Sequence, residues 1–501
     1  MFVRQKPNKS GVISVQVIAK INGKSKLIKT IGSSGDMLEV QALVKEGYYY
    51  ISRFGGQKTL DFTDEPSLYK SVFESINSHT EVGTQLLLGK IFDDIGFNVV
   101  EDDLFRRLVL SRLVYPASKM KTSDFLDRYR EVDYPVQQIY RYMDRFYSER
   151  KELVQQISYQ HTKKILGGNV NIVFYDVTTL YFEIDNEDNL RKTGFSKEGK
   201  HQNPQILLGL LVSKNGYPLA YDVYEGNKFE GHTMLPVLNL FKQKYNLEQL
   251  VIIADSGLLS NANINNLLSE SYEFIIGARI KNENRDIQQK ILSLNLGNGE
   301  SAVVDRGNLK LIISYSDNRA KKDYENRRKG LLKLEKRIKT GKLTKANINN
   351  RGYNKYLKLE GEVEIILDYQ KFEADGAWDG LKGYLTNANM PKDEIIENYR
   401  HLWQIEKAFR ISKTDLKIRP VYHRLQHRID THICISFVAY KVYKELERLL
   451  IEKGSSLSPE KAIDIAKSIY RIKARSTNGE VEHMLLISDE QKNLAKLFNF
   501  G

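Results

Sequence analysis

The sequence predicts an α/β protein: a mixed sheet carrying an inserted subdomain, with a small β module and a helical region ahead of it. Three observations predict this. Residues 170–278 alternate strand-like and helix-like segments, residues 84–166 are helical in periodicity throughout, and residues 280–385 interrupt the alternation with a strongly basic stretch. At 501 residues the chain is also too long for a single compact core.

Residues 1–60 read as the small β module. Val12–Ile21 and Ser25–Ile31 alternate in part around Asn22-Gly23, a strong hairpin signal. Residues 61–168 read as a helical, DNA-binding domain. Thr84–Ile95, Asp103–Leu113, Ser123–Tyr129, Val136–Phe146 and Glu149–Ile165 are each amphipathic. The helix after Pro135 sets Gln137, Gln138, Arg141, Tyr142 and Arg145 apart from Val136, Ile139, Tyr140 and Met143. Gln and Arg suit base edges, which makes Gln138, Arg141 and Arg145 candidates for DNA contact. A bundle helix with a polar outer face accounts for the same pattern.

Residues 169–279 give the order strand, hairpin, helix, strand, helix, strand. The first strand, Asn171-Ile-Val-Phe-Tyr-Asp176-Val-Thr-Thr-Leu-Tyr-Phe, is rich in β-branched and aromatic residues. The hairpin pairs Gln205–Ser213 with Pro218–Tyr224 across Asn215-Gly216, and the helix Thr233–Tyr245 follows. Next come the strand Leu250–Asp255, Ser260 as the N-cap of the helix Asn261–Ser269, and the strand Phe274–Ala278. This is the order of a ribonuclease-H-like domain, whose first and fourth strands lie side by side. Asp176 and Asp255 would then be neighbours although they are 79 positions apart in the chain.

Residues 280–385 form the basic insertion, with strands near Leu309–Tyr315 and Glu362–Asp368 around the helix Asp323–Lys339. Residues 386–425 return to the core, and residues 426–501 read as a helical tail with Thr431–Ile451 and Pro459–Ile472 as its helices. The returning segment contains Tyr399-Arg-His-Leu-Trp-Gln-Ile-Glu406-Lys-Ala-Phe-Arg410-Ile-Ser-Lys413. Leu402, Ile405 and Phe409 form its apolar seam. Tyr399, Glu406 and Lys413 recur every seven residues and so are expected on one helical face, with Arg410 one turn past Glu406.

An Asp is depleted in strands, and burying its charge unpaired is costly. Either aspartate alone reads as a turn or cap residue. Together with Glu406, Asp176 and Asp255 would form a carboxylate cage for Mg²⁺, which takes oxygen ligands and keeps waters for substrate phosphates.

These blocks resemble the DDE transposases of bacterial insertion sequences, in the group whose last acid sits in a Tyr–Arg–Glu–Lys signature. That signature is Tyr, two residues, Arg, three residues, Glu, six residues, Lys. Tyr399, Glu406 and Lys413 fit the spacing, whereas Leu402 stands at the Arg position and Arg400 or Arg410 is left to supply the cation. The resemblance extends to Asp176-Val-Thr-Thr, Ala254-Asp255-Ser-Gly-Leu-Leu-Ser and Asp379-Gly-Leu-Lys-Gly-Tyr-Leu-Thr-Asn-Ala. It implies that Asp176, Asp255 and Glu406 are catalytic and hold two Mg²⁺ ions, with Mn²⁺ able to substitute. It also implies DNA contacts from Tyr399, Arg400, Arg410 and Lys413, cleavage at the inverted-repeat ends of an element, strand transfer into target DNA, and a homodimer pairing the two ends. Two alternatives stay open: a non-enzymatic DNA-binding descendant, and a ribonuclease-H-like nuclease without strand transfer.

Charge supports a polyanion partner. The chain carries a net +13, and residues 319–358 hold fifteen Lys/Arg against three acids, a net of +12. Arg327, Arg328, Lys336 and Arg337 are the candidate phosphate contacts there. No apolar run reaches a membrane span, and Met1–Pro7 lacks the apolar core of a signal peptide, so a cytoplasmic protein is expected. The single cysteine, Cys434, excludes an internal disulfide and reads as a core thiol. The absence of a Gly-rich phosphate loop argues against an ATP-driven enzyme. Residues 199–203 read as a loop solvating its own turn, His232 as a helix-start residue and Trp403 as a core side chain.

Overall fold

Apolar alternation sets the first sheet. The computed structural model describes all residues except 10, 22, 55–72, 146–147, 185, 197–198, 248, 259, 362–363, 477–478 and 501. Strands β1 (Phe2–Pro7), β2 (Ile13–Ile21) and β3 (Lys24–Ser34) form an antiparallel sheet with β2 central and Val15 and Val17 fully buried. Asn22 of the expected hairpin lies outside the described residues; Gly23 follows at a φ of +79° and Ile21 pairs with Lys24. Sequence reading gave this region no helix, yet α1 spans Met37–Phe54. Its Val40, Leu43, Val44 and Gly47 recur at helical spacing and are its least exposed positions up to Gly47, so the signal was present. The expected boundary at residue 60 also lies outside the described residues. Strand β4 (Ile76–Glu81) comes next.

The described chain divides into two units, 1–79 with 472–483 and 80–471 with 484–501. In the second unit the helices are α2 (Lys90–Ile95), α3 (Asp103–Val114), α4 (Lys119–Arg130), α5 (Val136–Asp144) and α6 (Ser148–Ile165). Asp102 and Ser118 cap α3 and α4 by accepting from Phe105 N at 2.9 Å and Lys121 N at 3.3 Å. The core follows as β5 (Ile172–Tyr181), β6 (Gln205–Ser213), β7 (Pro218–Glu225), α7 (Met234–Tyr245), β8 (Val251–Ala254), α8 (Asn261–Ser269) and β9 (Glu273–Ala278). Then come α9 (Arg285–Leu292), β10 (Ser301–Arg306), β11 (Leu309–Tyr315), α10 (Asp317–Lys339), β12 (Leu357–Glu360), β13 (Glu364–Leu367), α11 (Tyr369–Ala374) and β14 (Leu381–Thr386).

The sheet order is β10-β11-β14-β9-β8-β5-β6-β7. Strands β6 and β7 are antiparallel neighbours outward from β5, while β8 and β9 run parallel on its other side. This is the ribonuclease-H-like arrangement, with the first and fourth core strands adjacent. The 280–385 segment is less separate than expected. Strands β10, β11 and β14 extend the core sheet, because Leu311 and Ile313 fall on one buried face and Ile312 and Tyr384 on the other. Only α10, β12, β13 and α11 build their own small core, from Leu331, Leu334, Tyr356, Leu357, Leu367 and Phe372.

Helices α12 (Lys392–Arg400), α13 (Trp403–Thr414), α14 (Gln426–Glu452) and α15 (Pro459–Lys467) complete the layer over one face of the sheet. Cys434 in α14 is fully buried, which pushes its thiol up to about 12. The tail is not wholly helical. Strands β15 (Tyr470–Ser476) and β16 (Gly479–Leu485) form a sheet of order β16-β15-β4, and α16 (Asp489–Phe498) follows. The helix expected to reach Ile472 stops at Lys467, where the pattern shifts to the alternation Tyr470-Arg-Ile-Lys-Ala-Arg. Among the described residues no helix is long and apolar enough to cross a membrane.

Candidate active site

Parallel pairing of β5 with β8 runs from Ile172 opposite Val251 to Tyr175 opposite Ala254. Asp176 and Asp255 are the next residue on each strand. Phe174 and Ile253, two residues back, both lie in the core beneath α12–α14, so period-2 alternation puts both aspartates on that same face. Asp255 is exposed and accepts from the Ser256 backbone N at 2.6 Å; Asp176 is partly buried.

The third acid comes from α13. The seam Leu402, Ile405 and Phe409 is 7%, 0% and 7% exposed, as its spacing requires, and Glu406 faces outward. One expectation fails here. Tyr399, Glu406 and Lys413 do not share one continuous helix, because α12 ends at Arg400 and α13 begins at Trp403. The junction tightens into i→i−3 bonds, His401 N to Asn398 O at 3.1 Å and Leu402 N to Tyr399 O at 3.0 Å. Glu406 and Lys413 remain together on α13, while Tyr399, on α12, reaches the same cleft as Glu406 from below. It is 5% exposed, its ring packs edge-on to Tyr384 at 4.9 Å, and its hydroxyl fills the space a Cβ at Gly277 would need. Tyr399 thus packs at the floor of the cleft that Asp255 and Glu406 line. Leu402, at the signature's Arg position, is spent on the core.

Asp255 and Glu406 line one cleft of about 930 Å³, with Arg319, Lys382, Arg400 and Trp403 on its walls. Neither acid has an ion-pair partner among the described residues. Sequence reasoning missed Lys382, although it lies inside the Asp379–Ala388 block. Its ammonium sits 4.5 Å from the centroid of the Tyr399 ring. Burial lowers its pKa, and Arg319 adds to this while Asp255 and Glu406 oppose it. Burial raises the Tyr399 pKa, with Asp255 adding to it, so the phenol stays protonated. Trp403 is 49% exposed at the rim rather than in the core, with the Lys407 ammonium 5.7 Å from its ring.

The donor type suits Mg²⁺, since two hard carboxylates, Asp255 and Glu406, line one open cleft. The cage is not closed: among the described residues no three acidic or imidazole side chains converge to hold a metal, and Asp176 does not line the cleft.

Other candidates fall in several places. Arg400 and Arg410 are exposed; burial raises the Asp415 pKa, nearby Arg410 opposes that rise, and Arg410 has no ion pair with Glu406 among the described residues. Lys413 is partly buried on α13. Gln138, Arg141 and Arg145 are exposed on α5 or at its end, opposite the buried Ile139 and Met143. In α10, Arg328 and Lys336 are exposed and Arg337 is half-buried. Arg327 is not a surface cation: it is 8% exposed, pairs with Asp379 and lies 4.9 Å from the Phe372 ring. Its charge is met by Asp379, and both residues also line the wall of the carboxylate cleft.

The profile of the transposase DDE domain matches residues 171–441. Among solved structures the chain is similar to the piggyBac transposase synaptic complex with hairpin DNA, at 11% identity over 79% of this chain and 80% of that one, with a TM-score of 0.38. It is also similar to the Mos1 transposase paired-end complex with the left transposon end, at 12% identity over 46% of this chain and 71% of that one, with a TM-score of 0.16. No curated protein matches the chain.

Proposed function

This chain belongs to the transposase DDE-domain family, and from that premise we propose that it cuts DNA at the ends of an insertion sequence and joins those ends to target DNA. The observation that carries the reading is the meeting of Asp255 and Glu406 in one cleft, with Asp176 at the equivalent position of the adjacent strand. These three side chains would hold Mg²⁺, or Mn²⁺ in its place. Bound there, the metal would supply an activated oxygen nucleophile and charge stabilisation for the leaving oxygen.

The chain's own residues do the rest. Arg319, Lys382 and Arg400 surround the acids with positive charge and draw a phosphodiester into the cleft. Lys413, and Arg410 one turn past Glu406, would hold the strand beyond the scissile phosphate, Arg410 with a fork suited to two phosphate oxygens. Tyr399 positions Lys382 from below. Trp403 offers a face on which an unpaired base can stack. Gln138, Arg141 and Arg145 on the outer side of α5 would read the element's end, and a homodimer would pair two such ends.

Incubating the protein with Mg²⁺ and a labelled element end, with and without target DNA, tests the reading. Nicked ends and joined products are expected. Nicking without joining would leave only a nuclease, and binding without nicking only a DNA-binding protein.

A further inference from the structure

Away from the carboxylate cleft, a second cavity of about 280 Å³ opens between the C-terminal end of α3, the start of α4, the chain segment after α13 and the first turns of α14. Its lining contains Arg112, Lys119, Lys417 and Arg419 and no carboxylate. Two of these cations are deeply buried: Arg112 is 5% exposed and Lys119 only 4%. Burying a charge without compensation is among the costliest choices a fold can make.

The partners present do not neutralise them. Arg112 reaches the Leu416 carbonyl at 3.5 Å and His432 Nδ1 at 3.4 Å. His432 Nε2 lies 2.9 Å from the Ile418 carbonyl and must donate to it, so Nδ1 is the acceptor and the ring is neutral. Lys119 has no hydrogen-bond or ion-pair partner among the described residues, and Arg112 adds to the burial that lowers its pKa. Lys441 shows how this fold treats a structural lysine: fully buried, it donates to the Ser158 carbonyl at 3.1 Å and to Thr162 Oγ1 at 2.6 Å. Lys119 instead faces the cavity. His423 also lines it and is pushed down to about 3, by burial first and then by Lys119 and Arg112, so it adds no charge of its own.

We propose that this cavity is a binding site for a phosphate group, either the terminal phosphate of a DNA strand or free inorganic phosphate. Two buried cations, Arg112 and Lys119, at one space call for an anion from outside, and Lys417 and Arg419 add positive charge to its wall. The Arg112 guanidinium presents planar paired donors and Lys119 a point charge, the combination that tetrahedral phosphate oxygens accept. The volume exceeds that of a simple ion, and Tyr140 and His423 supply ring surfaces for an attached sugar. The site stands apart from Asp255 and Glu406, so its failure leaves the proposed cleavage chemistry untouched.

The test compares the full-length wild-type protein with Lys119→Met and Lys417→Gln in chloride buffer, titrated with inorganic phosphate and followed by thermal melting and calorimetry. Phosphate should raise the wild-type melting temperature. Lys119→Met should melt higher than wild type without phosphate, because an uncompensated buried charge is gone, and should bind phosphate at least tenfold more weakly. The exposed Lys417→Gln should fold normally and bind severalfold more weakly. Competition with one oligonucleotide carrying either a 5′-phosphate or a 5′-hydroxyl identifies the source. Displacement by the phosphorylated strand alone assigns the site to a strand end, and displacement by neither assigns it to free phosphate. No phosphate response in the wild type, or an equal response in all three proteins, overturns the proposal.

Discussion

Asp176 and Asp255 occupy equivalent places on adjacent parallel strands, each one residue past the last pair, Tyr175 opposite Ala254. This pairing joins two acids from distant parts of the chain on the sheet face that α13 covers, and α13 brings Glu406. Asp176→Asn, Asp255→Asn and Glu406→Gln should each reduce Mg²⁺-dependent nicking of end DNA to background, while gel-shift affinity for that DNA persists. An Asp255→Asn protein that nicks at the wild-type rate would remove Asp255 from the site.

Lys382 sits near both Asp255 and Glu406 with its ammonium on the Tyr399 ring. Lys382→Met keeps the packing and removes the charge. Mg²⁺ should then bind more tightly, because a like charge has left the cleft, as calorimetry would register. End DNA should bind more weakly, and the slope of log affinity against log salt should fall by about 0.9 for the lost phosphate contact. Unchanged Mg²⁺ affinity would place the ammonium too far from the metal to matter.

Arg327 and its neighbours in α10 should separate cleanly. Arg327→Ala breaks a buried pair with Asp379 and should cost about 3–5 kcal/mol in the stability of the inserted subdomain, by denaturant melts. It should leave the salt dependence of DNA binding intact. Neutralising Arg328, Lys336 and Arg337 together should do the reverse, lowering the salt slope by up to about 0.9 per contact with little change in melting. A salt slope that moves with Arg327 alone would contradict the buried pairing.

His161 gives a pH signature. It lies in the interior, and burial, followed by Lys441, pushes it down from 6.5 to about 4, with Glu445 at 3.8 Å opposing the shift. The unfolded chain therefore binds more protons between these values. This contribution to stability is complete above about 6.5 and is lost as pH falls toward about 4. The loss is roughly 1.4 kcal/mol per pH unit within that window. His161→Gln should make the acid decline shallower; an identical decline would show that His161 does not titrate there.

By itself the sequence determined most of the elements and their order, and it supplied three candidate acids. Periods of 2 and 3.6 are local properties, so the strands around Asp176 and Asp255 and the seam Leu402, Ile405 and Phe409 could be read from a few residues at a time. The helix α1 is equally legible in Val40, Leu43, Val44 and Gly47, although the stronger strand alternation just before it dominates the local pattern. Tertiary structure alone decided which side chains meet. The tightened turn at His401–Leu402 divided the expected single helix and set Tyr399 into the floor of the cleft. Lys382 reached the acids only because β14 adds to the sheet beside β9. Arg327, one cation among fifteen in its segment, turned inward because Asp379 waits there. Hydrophobic periodicity says which face of an element is buried, and only long-range packing says what it is buried against.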